Sequence, residues 1–381
     1  MSGTLLNCGY VALVDCAPLV IAEELGFAAE EGLALNLIRQ PSWSALRDML
    51  ALGHLDAAQM LSPMPVAMSI GLGGLPAEVD TLMVMSVNGT VFGLSQPLAA
   101  KLEDVAFGDA ETLLRRLTNV ADGPLRVGVP FHHSMHRLLL SYWVSGAESM
   151  QIEEVTVPPP RMADAVADGL VDAFWVGEPW GSVAVGRGVA TLKMTGRDVW
   201  QFSPEKVLAA RHDWIDANPD TVRRLMRAVF QAAAWLDTPR NKPLAVEILG
   251  RSEHLGLPTD LIDPALTGHI TPAQGAHPVA VDRFLQFHRN AANFPWRSKA
   301  AWIAQQLGAD QAGITRAKAC FRTDLYRQNL TDVSTDMPGA SEKEEGALRF
   351  ETAVASARGH LILAPDAFFD GKTFDFAPEN R

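Results

Sequence analysis

Cysteine, basic charge and long apolar runs are all scarce in this 381-residue chain, and each scarcity excludes something. The three cysteines, Cys8, Cys16 and Cys320, are an odd number without metal-ligand spacing. They read as buried or free thiols in a reducing compartment. Lys and Arg total 32 against 44 Asp and Glu, a formal net charge of −12. Such a chain lacks the basic face that a phosphate backbone requires, so direct nucleic-acid binding is not expected. A small anion is still admissible, because a few converging donors make a cleft locally positive on an acidic protein. No window approaches ~18 uninterrupted apolar residues, so no membrane span is expected. The opening MSGTLLNCGYVALVDCAPLV has no basic n-region, long apolar core or small-residue cleavage site. It reads as the start of a strand in a cytoplasmic protein. Catalytic signatures are missing too: G-x-S-x-G, H-E-x-x-H and the phosphate loop do not occur, and Gly71-Leu72-Gly73-Gly74 misses G-x-G-x-x-G. The expectation is a chain that is not an enzyme and carries no cofactor.

What is present is an alternation of strands and helices. Hydrophobic residues make up 48% and charged residues 20%, an ordinary soluble balance. The length favours two domains over one. Apolar runs at 5–14, 32–38, 55–60 and 82–87 read as strands, with helical sequence between them at 19–26, 44–53 and 66–74. After a polar stretch at 101–123 the rhythm restarts with RVGVP, MHRLLLSYWVSG, VTVP, RMADAVADG, AFWV and VATLKMT, and then KVLAA. This spacing predicts βαβ units and parallel sheets. Residues 219–236 form an amphipathic helix whose Arg223, Arg224 and Arg227 lie on its wet side. We divide the chain into 1–93 (first lobe), 94–202 (second lobe), 203–327 (return to the first lobe) and a tail, 328–381, packing on both.

Candidate binding residues concentrate between 126 and 206. Ser134 reads as an N-cap that places His136 in the first turn of a helix. Unpaired N–H groups and a partial positive charge at such a start suit an anion. His132 and His136, four apart, would also suit a metal, but no third ligand stands nearby, so no metal is expected. Val176, Gly177 and Glu178 end a strand before Pro179-Trp180, and backbone N–H groups there are candidate donors. Glu178 itself would repel an anion, so its carboxylate is expected to orient Lys206 or a donor, or to form a plain salt bridge. Pro158 to Pro160, with Pro159 at the centre, make a rigid wall without N–H groups. Asn88, Gly89 and Thr90 end a strand that is expected to face the cleft. Taken alone, Lys206 reads as a solvated lysine in a turn and Trp43 as core.

The order and spacing of several stretches carry a resemblance: DCAPLVIAEELGF (15–27), PSWSALRDMLALGHLDAAQMLSPMP (41–65), MHRLLLSYW (135–143), VPPPRM (157–162), VGEPW (176–180), DVWQFSPEKV (198–207) and FFDGKTFD (368–375). Together they resemble the nitrate-binding family of type II solute-binding proteins, the nitrate and bicarbonate receptors of ABC importers. The resemblance implies an α/β, two-lobed, type II periplasmic-binding-protein-like fold, each lobe a mainly parallel sheet flanked by helices. It also implies a nitrate or nitrite ligand held by Lys206 as the fixed charge, His136 as a ring-nitrogen donor and Trp43 as a cleft wall. A basic residue at position 206 goes with nitrate, where the bicarbonate receptors carry an acidic one. Thr90 departs from the pattern, standing where relatives place glutamine. His132 and His133 depart as well, standing where relatives have small residues.

With no export signal read at the start, the narrower resemblance is to the NasS-type cytoplasmic nitrate/nitrite sensors. It implies a protein partner, an ANTAR-type (NasT-like) RNA-binding antiterminator released when the anion binds. The alternatives are the binding component of a nitrate or bicarbonate ABC importer, and an enzyme of the pyrimidine-synthesis kind that shares the two-lobed fold.

Overall fold

The computed structural model describes residues 3–120, 123–147, 150–334 and 336–375; the end of the closing run FFDGKTFDFAPEN lies outside them. Two sheets organise the chain. The first contains β1 (Thr4–Tyr10), β2 (Leu33–Arg39), β3 (Ala57–Leu61), β4 (Val79–Asn88) and β10 (Pro204–Arg211), with the short strand Leu285–Gln286 at one edge. The second is ordered β7-β6-β8-β5-β9, from β5 (Thr90–Ser95), β6 (Leu125–Val129), β7 (Ile152–Thr156), β8 (Ala173–Gly177) and β9 (Ala190–Thr195).

Both sheets are mainly parallel, as expected, but mixed: four strands in each run one way, and an opposed strand is inserted among them. β1 pairs parallel with β2 and β3, and β6 with β7 and β8, as βαβ units require. The strands that enter each sheet from the other lobe run against this direction. β10 is antiparallel to β3 and β4, and β5 is antiparallel to β8 and β9.

The chain crosses between sheets at Asn88-Gly89 and again before Pro204. Asn88 and Gly89 are both left-handed, with φ of 62° and 87°, so β4 turns sharply and continues as β5 instead of ending there. Glycine suits this turn on two counts, since a Cβ on Gly89 would also lie 2.8 Å from a Leu285 methyl. The Asn88 side chain pins both crossings. Its Nδ2 donates to the Gln201 and Arg283 carbonyls (2.9 and 3.1 Å), and its Oδ1 accepts from Ser203 N and Oγ (3.1 and 3.2 Å).

Helices cover the sheets. Pro219–Leu236 buries Val222, Leu225, Met226, Val229 and Phe230, the amphipathic stripe read from its spacing. Arg227 on its outer side pairs with Glu31 (2.9 Å) and Asp332 (2.5 Å). The tail closes over the molecule. Phe368 stacks on Trp200 with centroids 4.9 Å apart and packs against Trp302 and Tyr142. Lys343 there bridges two buried carboxylates, Glu345 and Asp366. Among the described residues no helix is long and apolar enough to cross a membrane.

Candidate functional site

Where the two sheets face each other, a polar cluster is sealed from solvent. Lys206 and His136 are both 0% exposed and Trp43 is 1% exposed. Lys206 Nζ lies 2.7 Å from Asp15 Oδ2 and 2.7 Å from Glu205 Oε1. It also sits 5.3 Å from the centre of the Trp43 ring, within the range at which an aromatic face attracts a cation. Gln59 links this group to the backbone: its Nε2 donates to Asp15 Oδ1 (2.6 Å) and its Oε1 accepts from Val11 N (3.1 Å). From the second lobe, His136 Nδ1 approaches Glu205 Oε1 at 3.4 Å.

Local structure explains the convergence. Ser134 Oγ accepts from Arg137 N at 3.2 Å and caps the helix Met135–Val144, which sets His136 in its first turn. Ser42 caps Trp43–Ala51 in the same way, through Ala45 N. Neighbours on a regular strand point to opposite faces, so Glu205 and Lys206 would ordinarily part. The pairing of β10 with β4 shifts register on both sides of Lys206. A bulge of this kind re-aims a side chain, and here it lets both reach one site.

The electrostatics follow from burial. Burial disfavours the Lys206 ammonium, but Asp15 and Glu205 outweigh it and hold the lysine above its ordinary range. Burial pushes Asp15 up, opposed by Lys206 and Gln59. Burial also pushes Glu205 up to about 7, against the pull of Lys206. His136 is held well below its usual value by burial and then by Lys206, so it is a neutral imidazole with one donor and one acceptor nitrogen. Four buried polar atoms in this cluster have no partner: Trp43 Nε1, His136 Nδ1, His136 Nε2 and Glu205 Oε2. Unpaired groups are costly inside a protein and mark a place where something else can bind.

Other candidates stand in different places. Gly177 borders the cluster: a Cβ there would lie 3.7 Å from both His136 Nε2 and Asp15 Oδ2, and 2.6 Å from a Leu13 methyl, so a glycine is required for this approach. Val176 pairs with Val91 inside the second sheet. Glu178 turns away from Lys206. Its carboxylate accepts from Ser182 N and Oγ (2.9 and 3.1 Å) at the start of the helix Trp180–Gly186, and its backbone N–H donates to the Gly89 carbonyl (3.1 Å). The expectation that Glu178 orients Lys206 is corrected accordingly. Asn88 spends its amide on the crossings, and Thr90 Oγ1 accepts from Trp175 Nε1 at 3.0 Å. Pro159 is buried in a short 3-10 turn. His132 and His133 pack tilted or edge-on against Phe131 and each other, with ring centroids 4.1 to 5.9 Å apart.

Sequence reasoning missed Asp15, Gln59 and Glu205. Gln59 did leave a trace, as the one polar residue of the otherwise apolar strand AAQML.

The lobes are joined beside this cluster by Val14 N to the Glu178 carbonyl (3.0 Å) and by Trp180 Nε1 to the Ala12 carbonyl (2.8 Å). A two-lobed fold that buries a small charged cluster between sheets is the architecture of solute-binding proteins, and comparison with known proteins agrees. The model of the NMT1-like family matches residues 3–250. The chain belongs to the NMT1-like family. Similar proteins include the nitrate/nitrite binding protein NrtA of Synechococcus elongatus, 32% identical over 98% of this chain and 84% of its own length. The nitrate import ATP-binding protein NrtC of Synechocystis is 34% identical over 79% of this chain. The chain spans only 45% of that longer relative. The crystal structure of the periplasmic nitrate-binding protein NrtA from Synechocystis superposes with a TM-score of 0.83 at 28% identity, over 99% of this chain and 97% of that one. This member of the family is therefore an NrtA-like solute-binding protein of two lobes, and not an enzyme.

Proposed function

We propose that the protein binds nitrate or nitrite between its lobes, as the substrate-binding component of an ABC importer. The observation that carries this reading is the set of unpartnered buried donors, Trp43 Nε1 and a His136 ring N–H, around the buried Lys206 ammonium. Nitrate is a flat, weakly basic anion with three acceptor oxygens, and it needs donors, one fixed charge and exclusion of water. A lysine at 206 favours it over bicarbonate. An anion held by residues of both lobes stabilises the form in which they touch, which is how such a protein signals occupancy to a partner. NrtA-like relatives support the import role.

Isothermal titration tests the reading. Nitrate or nitrite should bind, with the affinity lowered about 100-fold or more in Lys206→Met. Trp43→Phe, which deletes an indole N–H and keeps an aromatic wall, should bind about tenfold more weakly. Absence of heat with both anions ends the proposal.

The cytoplasmic sensor that holds an ANTAR-type antiterminator until the anion arrives is the second reading, and it rests on the resemblance alone. A pull-down of a NasT-like protein by the anion-free chain, lost on adding nitrate, would favour it. A periplasmic pool on fractionation would favour import.

A further inference from the structure

Charge counting at the Lys206 cluster exposes a problem that a simple anion site would not have. One ammonium faces two carboxylates, Asp15 and Glu205, and the imidazole of His136 is neutral. With both acids ionised the sealed cluster already carries a net negative charge, and nitrate would add another. Such an excess cannot be buried without compensation. Resting on the oxyanion reading above, we infer that the anion enters together with one proton taken from solvent, and that Glu205 receives it. The protonated Oε2 then donates to the anion beside Trp43 and His136, and the proton acts as a co-ligand.

The geometry selects Glu205 over its neighbours. Both oxygens of Asp15 already face donors, Gln59 Nε2 at 2.6 Å and Lys206 Nζ at 2.7 Å. A proton on Asp15 would have to displace one of them. Glu205 has one oxygen on Lys206 and its other, Oε2, buried without a partner. Among the described residues, the charged or titratable groups facing it are Lys206 on β10, Asp15 on the turn after β1 and His136 on the helix Met135–Val144, with the buried thiol of Cys16 next to Asp15 pushed up by burial and so uncharged. Burial already brings Glu205 to about 7 in the anion-free protein, and a second negative charge alongside can only raise it further.

Titration of the full chain with sodium nitrate, in buffers of differing ionisation enthalpy, reads the proton directly. Near pH 8 close to one proton should be taken up per nitrate, and near pH 5.5 close to none; above about pH 7 the affinity should fall about tenfold per pH unit. Glu205→Gln supplies a neutral donor of the same shape. It should hold the affinity at its acid-side value and abolish the uptake. Nitrate binding without uptake from pH 6 to 9 overturns the inference and leaves the oxyanion site standing. Uptake that persists in Glu205→Gln overturns Glu205 as the acceptor. Loss of binding on adding a chelator, restored by a divalent cation, would show that a metal and not a proton compensates the charge. Failure of nitrate to bind at any pH would instead remove the reading on which this rests.

Discussion

Among the described residues the sealed Lys206 and the partly exposed Lys343 each bridge two carboxylates, and only one of the arrangements is left incomplete. In the tail, Lys343 contacts Glu345 and Asp366, and the remaining oxygens are taken: Ser298 Oγ donates to Glu345 Oε1 (2.6 Å) and Leu348 N to Asp366 Oδ1 (2.8 Å). Between the lobes, Lys206 contacts Asp15 and Glu205, but a glutamate oxygen, both imidazole nitrogens and an indole N–H go without partners. The first is a clasp that holds the closing segment. The second has the same charges and spare valence. Ion pairing alone therefore says little about function; what distinguishes a binding place from a fastening is the number of buried polar atoms left over.

The largest effect expected from breaking this comparison is on ligand affinity. Lys206→Met and Lys343→Met should each cost about 3 kcal/mol of stability by stranding two buried carboxylates. Only the first should also weaken nitrate binding, by about 100-fold or more. Equal losses of affinity in calorimetry of the two folded variants would erase the distinction. The next effect is on stability against pH. Glu205 is raised from 4.5 to about 7 in the folded chain. Its contribution is whole below about 4.5 and is lost as the pH climbs through about 7. Without ligand, wild type should therefore weaken relative to Glu205→Gln between those limits, by about 3 kcal/mol in denaturant titrations. A constant difference between the two proteins would mean that the carboxyl is not strained. The smallest effect concerns Glu178, whose carboxylate caps the helix Trp180–Gly186. Glu178→Ala should cost about 1 kcal/mol and change nitrate affinity little, whereas a large loss of affinity would return it to the site.

The alternation of strands and helices was legible from the spacing of apolar runs, and Ser134 caps the helix that it was read to start. β5 was not legible. The turn residues Asn88-Gly89 look like the end of a strand, and Gly93 interrupts the apolar run that follows. Gly93 is nonetheless required inside the sheet, where a Cβ would lie 2.3 Å from the Phe174 ring. At the site, Lys206, His136 and Trp43 could be picked out, and the structure buries them together. Glu205 could not, because adjacent strand residues are assigned to opposite faces and a bulge leaves no mark in composition. Asp15 reads as an ordinary helix-entry residue. Its role comes from contacts with Gln59 and Lys206, 44 and 191 positions away along the chain.

Asn88 has a mechanical consequence. Three of the four hydrogen bonds made by one amide fasten the outgoing strand to the returning segment, and the fourth reaches the Arg283 carbonyl. These bonds oppose sliding of the halves past one another, which leaves swinging about the crossings as the softer movement. On the proposed function a small anion near this axis would serve as the latch, because a small displacement there is enlarged at the outer rims.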